Sequence, residues 1–247
     1  MSNENKLTLY GFNNLTKSLS FSLYKVHYLP DSEQLTRYKA YINERYHSEK
    51  LSQLLTKVCH AIGGNVLNIA KQDYQPQGAS ATLMISEEAK PESLVAHLDK
   101  SHLCIHTYPE EQLHNNIAIF RADIELSTCG VISPLNVLDY VINHFEADVI
   151  DIDYRVRGMT RDSQGNKRFS DHQINNISDN LAKETLACYQ TEDNNLVNKG
   201  LFHCRLQRAK LNISSHLFAA TSEDFTTAEQ EYMAKKLKLE LSQLFLA

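Results

Sequence analysis

Apolar residues recur at every second position along several stretches of the chain, the period at which strand side chains alternate between two sheet faces. Residues 6–12, with Leu7, Leu9 and Phe12, and residues 21–28, with their run of Phe, Leu, Tyr and Val, read as strands around a polar Asn-Asn-Leu-Thr-Lys loop. From Asp31 to about Ile62 the spacing turns helical through Leu35, Tyr38, Ile42, Leu51, Leu54, Leu55 and Val58. Asp31 or Ser32 serves as cap and Gly63-Gly64 as the stop, and one long helix or two both fit. Residues 65–74 and 79–86 form a predicted hairpin about Gln75-Pro76-Gln77-Gly78. Residues 94–98, 102–108 and 117–128 continue as strands, the last with Ile117, Ile119, Arg121 and Asp123 on one face. Ser133 as cap and Pro134 at the first helical position open a helix striped by Leu135, Leu138, Val141, Ile142 and Phe145. Strand returns over residues 148–156, an exposed turn follows at 161–168, and the last third mixes weak helical patterns with polar loops. Thr226-x-x-Glu229 forms a capping box for a closing helix lined by Tyr232, Met233, Leu237, Leu241 and Leu244.

This order contains no glycine-rich phosphate loop, no regular βαβ alternation and no internal repeat. It predicts an α+β fold, a two-layer α/β sandwich in which a mainly antiparallel sheet carries helices on one face. The 247 residues, 42% of them hydrophobic, are enough for a single domain with a real core. No stretch approaches the roughly 20 apolar residues that span a bilayer, and the polar opening is no secretory signal, so a soluble cytoplasmic protein is expected. The formal charge of −5, with no basic block, argues against sequence-independent nucleic-acid binding and for a small-molecule ligand. Cys59, Cys104, Cys129, Cys188 and Cys204 form no Cys-x-x-Cys pair and are expected as free thiols, Cys59 and Cys104 as buried small hydrophobes.

Chemistry gathers in residues 97–130, where Lys100, Ser101, His102, His106, Tyr108, Glu110, Asp123 and Cys129 are set into strand-like alternation. The run Lys100-Ser101-His102-Leu103-Cys104-Ile105-His106-Thr107-Tyr108-Pro109-Glu110, followed by Ala122-Asp123-Ile124 and Ser127-Thr128-Cys129-Gly130, closely resembles the prokaryotic pyruvoyl-dependent S-adenosylmethionine decarboxylases. The likeness extends through Gly11-Phe12-Asn13-Asn14-Leu15-Thr16-Lys17-Ser18-Leu19, Asn68-Ile69-Ala70-Lys71-Gln72-Asp73-Tyr74, Gln77-Gly78-Ala79-Ser80, Gly130-Val131-Ile132-Ser133-Pro134-Leu135 and Asp153-Tyr154-Arg155-Val156-Arg157-Gly158, covers most of residues 8–160 and thins after that. It implies a two-layer α/β fold and a proenzyme that cuts itself between Lys100 and Ser101 into residues 1–100 (the β chain) and 101–247 (the α chain). Ser101 becomes a pyruvoyl group that forms a Schiff base with S-adenosylmethionine, and carbon dioxide leaves to give the aminopropyl donor for spermidine synthesis. His106 takes up the proton during processing, a task suited to imidazole because it titrates near neutral pH. Cys129 donates the proton that completes decarboxylation. The resemblance also implies a magnesium requirement, with no ligand set visible, and assembly of αβ units into a homo-oligomer.

The residues themselves leave other readings open. Ser101 and His106 are five apart, an odd spacing that places them on opposite faces of an ideal strand unless a turn or bulge intervenes. Tyr108, Glu110 and Asp123 are candidates to orient substrate or a metal ion, and Glu110 equally a solvated surface group. His102 either positions the scissile bond or ends a strand. The motif makes the cofactor without selecting the substrate, so ornithine or arginine is the alternative. A metal-dependent hydrolase on His97, Asp99, His102 and His106 is a further one, though its later members fall out of phase.

Overall fold

A computed structural model of the protein describes residues 12–86, 101–110, 112–218 and 220–246. The predicted strands over residues 6–12 and 94–98, the candidates His97 and Asp99, and Lys100 of the expected cleavage bond lie wholly or mostly outside these. The chain runs β1 (Thr16–Tyr28), α1 (Ser32–Arg45), α2 (Ser48–Ala61), β2 (Asn65–Asp73), β3 (Ala79–Ser86), β4 (Ser101–Pro109), β5 (Ile117–Cys129), α3 (Leu138–Phe145) and β6 (Val149–Arg157). It continues with β7 (Thr160–Arg161), β8 (Lys167–Arg168), α4 (Lys183–Leu186), β9 (Tyr189–Leu196), β10 (Leu201–Arg208) and α5 (Thr227–Leu246).

Eight strands form one sheet in the order β2-β3-β4-β5-β1-β6-β10-β9. Every neighbouring pair is antiparallel, and β7 and β8 make a separate small hairpin. Strict alternation divides the sheet into two unlike faces. One carries Leu19, Phe21, Leu23, Leu83, Leu103, Ile105, Ile124, Leu126, Ile150 and Ile152, all buried in one apolar cluster with Leu51, Leu55 and Val58 of α2 and Val141 and Ile142 of α3. The helical stretch after Asp31 is two helices, the first capped by the Asp31 carboxylate, which accepts the Gln34 N–H at 2.8 Å. Ser133 makes no side-chain cap. Pro134–Val137 forms a 3-10 turn first, and α3 starts at Leu138.

The second face is polar toward one end and apolar toward the other. Tyr24, Val26, Tyr28, Ile117, Ile119 and Val149 make its apolar end, and α5 lies over them through Met233, Leu237 and Leu241. So α1 to α3 share one face as expected, while the closing helix crosses to the other because that end offers it apolar surface. The Thr226–Glu229 box holds, with the Thr226 N–H donating to Glu229 Oε2 at 2.8 Å and the Glu229 N–H to Thr226 Oγ1 at 3.4 Å. Tyr232, placed on the buried stripe by the sequence pattern, is instead 55% exposed.

Candidate active site

Ser101 begins β4 and Cys129 ends β5, so the antiparallel pairing of these two strands brings them together from 28 residues apart. The Cys129 backbone N–H donates to Ser101 Oγ at 3.2 Å. Ser101 is 8% exposed and shares its face with Leu103, Ile105 and Thr107, whereas Cys129 is exposed on the polar face with Ser127 and Glu125. The hydroxyl and the thiol therefore leave the sheet on opposite sides. Gly130, at φ 68°, turns the chain immediately after Cys129, a backbone region open to glycine at no steric cost. Its N–H donates to the Leu15 carbonyl at 3.3 Å, which fastens this corner to the start of β1.

His106, Tyr108 and Asp123 form a second group farther along the same strands. His106 lies opposite Asp123, and Tyr108 opposite Arg121. The Arg121 guanidinium sits 4.4 Å from the Tyr108 ring centroid and pairs with Asp123 at 3.0 Å. His106 stacks on Tyr108 at 6.5 Å between centroids, and its Nδ1 lies 3.5 Å from the Tyr74 hydroxyl. Arg121 Nε and Asp123 Oδ1 are buried without a hydrogen-bond partner. The sequence alone gives neither Arg121 nor Tyr74 a role in the site. The strand period places Arg121 on the face of Asp123, and the pairing register is the signal that it lacks.

Five residues at about 3.3 Å each put His106 some 16 Å from Ser101 along β4, and on the other face. The odd spacing noted in the sequence is thus expressed without a bulge: β4 pairs with β5 in unbroken register from His102 to Pro109. Glu110 belongs to neither group, since its Oε2 accepts the Ile119 N–H at 2.8 Å at the far end of β4. Cys104 differs from the expectation of a buried small hydrophobe. It is half-exposed on the polar face opposite Glu125, and burial followed by the nearby Glu125 charge raises its thiol pKa. Cys59 is fully buried as expected.

Among the described residues no group of three or more His, Cys, Asp or Glu side chains is placed to hold a metal ion, and no helix is long and apolar enough to cross a membrane. A cavity of about 1010 Å³ bounded by Arg157, Gly158, Asp171, His172 and Lys199 opens beyond the ends of β6 and β10, without Ser101 in its lining.

The S-adenosylmethionine decarboxylase family model matches residues 43–158. The "S-adenosylmethionine decarboxylase proenzyme" of Marinobacter nauticus is 46% identical, covering 98% of this chain and 97% of its own. That of Pseudomonas aeruginosa is 45% identical, covering 99% and 98%. The crystal structure of the adenosylmethionine decarboxylase from Aquifex aeolicus shares 20% identity over 59% of this chain and 91% of that one, with a TM-score of 0.38. At such identity over nearly the whole length of both bacterial relatives, this chain belongs to the S-adenosylmethionine decarboxylase family.

Proposed function

We propose that the chain is the proenzyme of a pyruvoyl-dependent S-adenosylmethionine decarboxylase, a carboxy-lyase that supplies the aminopropyl donor for spermidine synthesis in the cytoplasm. The observation that carries this reading is the Cys129 N–H on Ser101 Oγ at the paired ends of β4 and β5.

In processing, Ser101 Oγ attacks the carbonyl carbon of Lys100, and the Lys100–Ser101 amide becomes an ester with a free Ser101 amine. Loss of the Ser101 α-proton breaks the Cβ–O bond, releasing residues 1–100 with a carboxylate at Lys100 and leaving dehydroalanine at 101. Its enamine tautomerises to an imine, which water hydrolyses to the pyruvoyl group and ammonia. The Cys129 N–H holds the hydroxyl oxygen for this attack. Once bound as the terminus of residues 101–247, the pyruvoyl ketone supplies the electron sink that lets the substrate's carboxylate leave as carbon dioxide.

Cleavage also changes what residue 101 can reach. As an internal strand residue it is committed to the apolar face; as a chain terminus it loses one of the peptide bonds that enforce that alternation. Residue 101 would then be free to turn toward the polar face, where Cys129 would hold the proton for the substrate α-carbon. Cysteine suits this step because a thiol is largely protonated at neutral pH. His106, given proton uptake by the family likeness, reaches Ser101 only if the first residues of β4 rearrange from the described register. Tyr108 and Asp123 are proposed substrate contacts together with Arg121, whose partly exposed side chain lies beside them; Glu110 is occupied by its backbone bond. The polar end of the second sheet face, left uncovered by α5, is proposed to pair with a second αβ unit.

Carbon dioxide release from S-adenosylmethionine, ornithine and arginine tests the substrate. Turnover of S-adenosylmethionine alone is expected, and turnover of either amino acid in its place would overturn the assignment.

A further inference from the structure

A charged pair is buried one strand beyond the Cys129 corner, at residues with no part in the chemistry above. Lys17 is 0% exposed, on the apolar face of β1 between Thr128 of β5 and Val156 of β6. Its ammonium is ion-paired with the Asp171 carboxylate, itself buried. The second Asp171 oxygen lies 2.7 Å from His172 Nδ1. Burial alone would raise the Asp171 carboxyl pKa, but the bonds from His172 and Lys17 outweigh it and hold the group below its ordinary value. Removing two charges from water is expensive, and a well-packed apolar pair commonly serves stability equally well or better. Stability alone is therefore a poor reason for Lys17 and Asp171.

Their position offers another. Thr16 pairs with Cys129, and the Leu15 carbonyl accepts from Gly130, so the first residues of β1 form one wall of the Cys129 corner. The same residues are held from the other side. The Asn14 N–H donates to the Met159 carbonyl at 3.0 Å, Asn14 Oδ1 accepts the Met159 N–H at 2.8 Å, and a Cβ at Gly158 would lie 2.3 Å from the Asn14 carbonyl oxygen. Asp171 anchors the loop that follows to Lys17, immediately next to Thr16. Both members of the pair lie outside residues 43–158.

We propose that Lys17 and Asp171 are positioning residues for self-cleavage: their buried ion pair fixes the start of β1 against the end of β5, and thereby holds the Cys129 N–H on Ser101 Oγ. This inference rests on the reading of Ser101 as the self-cleaving residue. It is tested with the full chain carrying Lys17→Met and Asp171→Leu together, an apolar pair of similar volume, and with Asp171→Asn alone in case the double variant does not fold. The expected result is a denaturation midpoint of the double variant at or above that of wild type, with self-cleavage slowed at least tenfold in either variant. A purely structural pair predicts that cleavage recovers along with stability, and a folded double variant cutting within threefold of the wild-type rate would overturn the proposal. A second measurement needs no cleavage. In the uncut Ser101→Ala chain, where the Gly130 N–H keeps its Leu15 acceptor, adding Asp171→Asn is expected to speed amide exchange at Gly130 at least tenfold while core amides such as Leu126 keep their rates; unchanged exchange at Gly130 would also overturn it. An uncut wild-type chain would remove the Ser101 reading, and the exchange measurement would still decide the positioning.

Discussion

The two faces of this sheet are built from the same strands and do opposite work. On the apolar face, Ser101, Thr128 and Lys17 are polar intrusions at the edge of a large core, and all three have a partner: Ser101 Oγ takes the Cys129 N–H, Thr128 Oγ1 donates to the Ile132 carbonyl at 3.3 Å, and Lys17 takes Asp171. On the polar face, His106, Tyr108, Arg121 and Asp123 sit together half-exposed, with Arg121 Nε and Asp123 Oδ1 still unpartnered. A group held with its hydrogen bonds satisfied in a desolvated place is prepared for a reaction of the chain on itself. A group with buried donors and acceptors left unsatisfied beneath a partly exposed face is prepared for something that arrives. In the proposed function, the Ser101 corner is where the chain cuts itself and the polar face is where a ligand is received, with Cys129 at the margin where both meet.

The contrast breaks most sharply at Ser101. Ser101→Ala is expected to leave one full-length chain with carbon dioxide release at background, while its fold, followed by circular dichroism, stays that of the uncut protein. Cys129→Ala separates the two tasks. The backbone N–H that holds Ser101 remains, so the chain still cuts, but decarboxylation falls by about 10²–10⁴, the usual cost of a missing general acid. Equal loss of cutting and turnover would place the Cys129 side chain in processing as well.

The same comparison extends to the helices covering each face. Beneath α1, His27 packs 5.2 Å from the Tyr38 ring, and burial, then the charges of Lys25 and His216, push its pKa down to about 3. Unfolded histidine titrates near 6.5, so between pH 3 and 6.5 the unfolded chain holds a proton that the folded chain lacks. This contribution is complete above about pH 6.5 and is lost as pH falls, at about 1.4 kcal/mol per pH unit inside the window. Urea midpoints between pH 7 and 4 should drop accordingly, and His27→Phe should flatten the dependence. Over the polar face, Leu237→Ala in α5 removes a fully buried side chain and should cost about 2–5 kcal/mol by urea denaturation. Leu239→Ala, two positions away and 61% exposed, should cost less than about 0.5 kcal/mol.

Much of this division is legible from period alone. The alternation of Ile117, Ile119, Arg121 and Asp123 assigns one face of β5 correctly, and the odd spacing of Ser101 and His106 announces their separation. The Thr226–Glu229 box fixes the start of α5 because a cap is a local interaction. What stays hidden depends on distant partners. Thr16 and Lys17 read as polar loop, yet they are strand, and Lys17 is buried because its partner Asp171 comes 154 residues later. β9 is almost all polar, Gln190 to Asn195, since as an edge strand it needs little apolar surface. β10 does alternate Phe202, Cys204 and Leu206, but His203 and Arg205 between them, the first hydrogen-bonded to Asp153 and the second salt-bridged to Asp151 on β6, disguise it as loop. Cys104 looks like core by type and faces the polar side by parity, and here parity is the better guide.

The account stands on the bond between Lys100 and Ser101, and intact mass analysis of freshly purified wild-type protein examines it directly. Two chains are predicted, residues 1–100 ending in a free carboxylate and residues 101–247 beginning with a blocked terminus that borohydride reduces. A single uncut chain that nonetheless releases carbon dioxide from S-adenosylmethionine would contradict it.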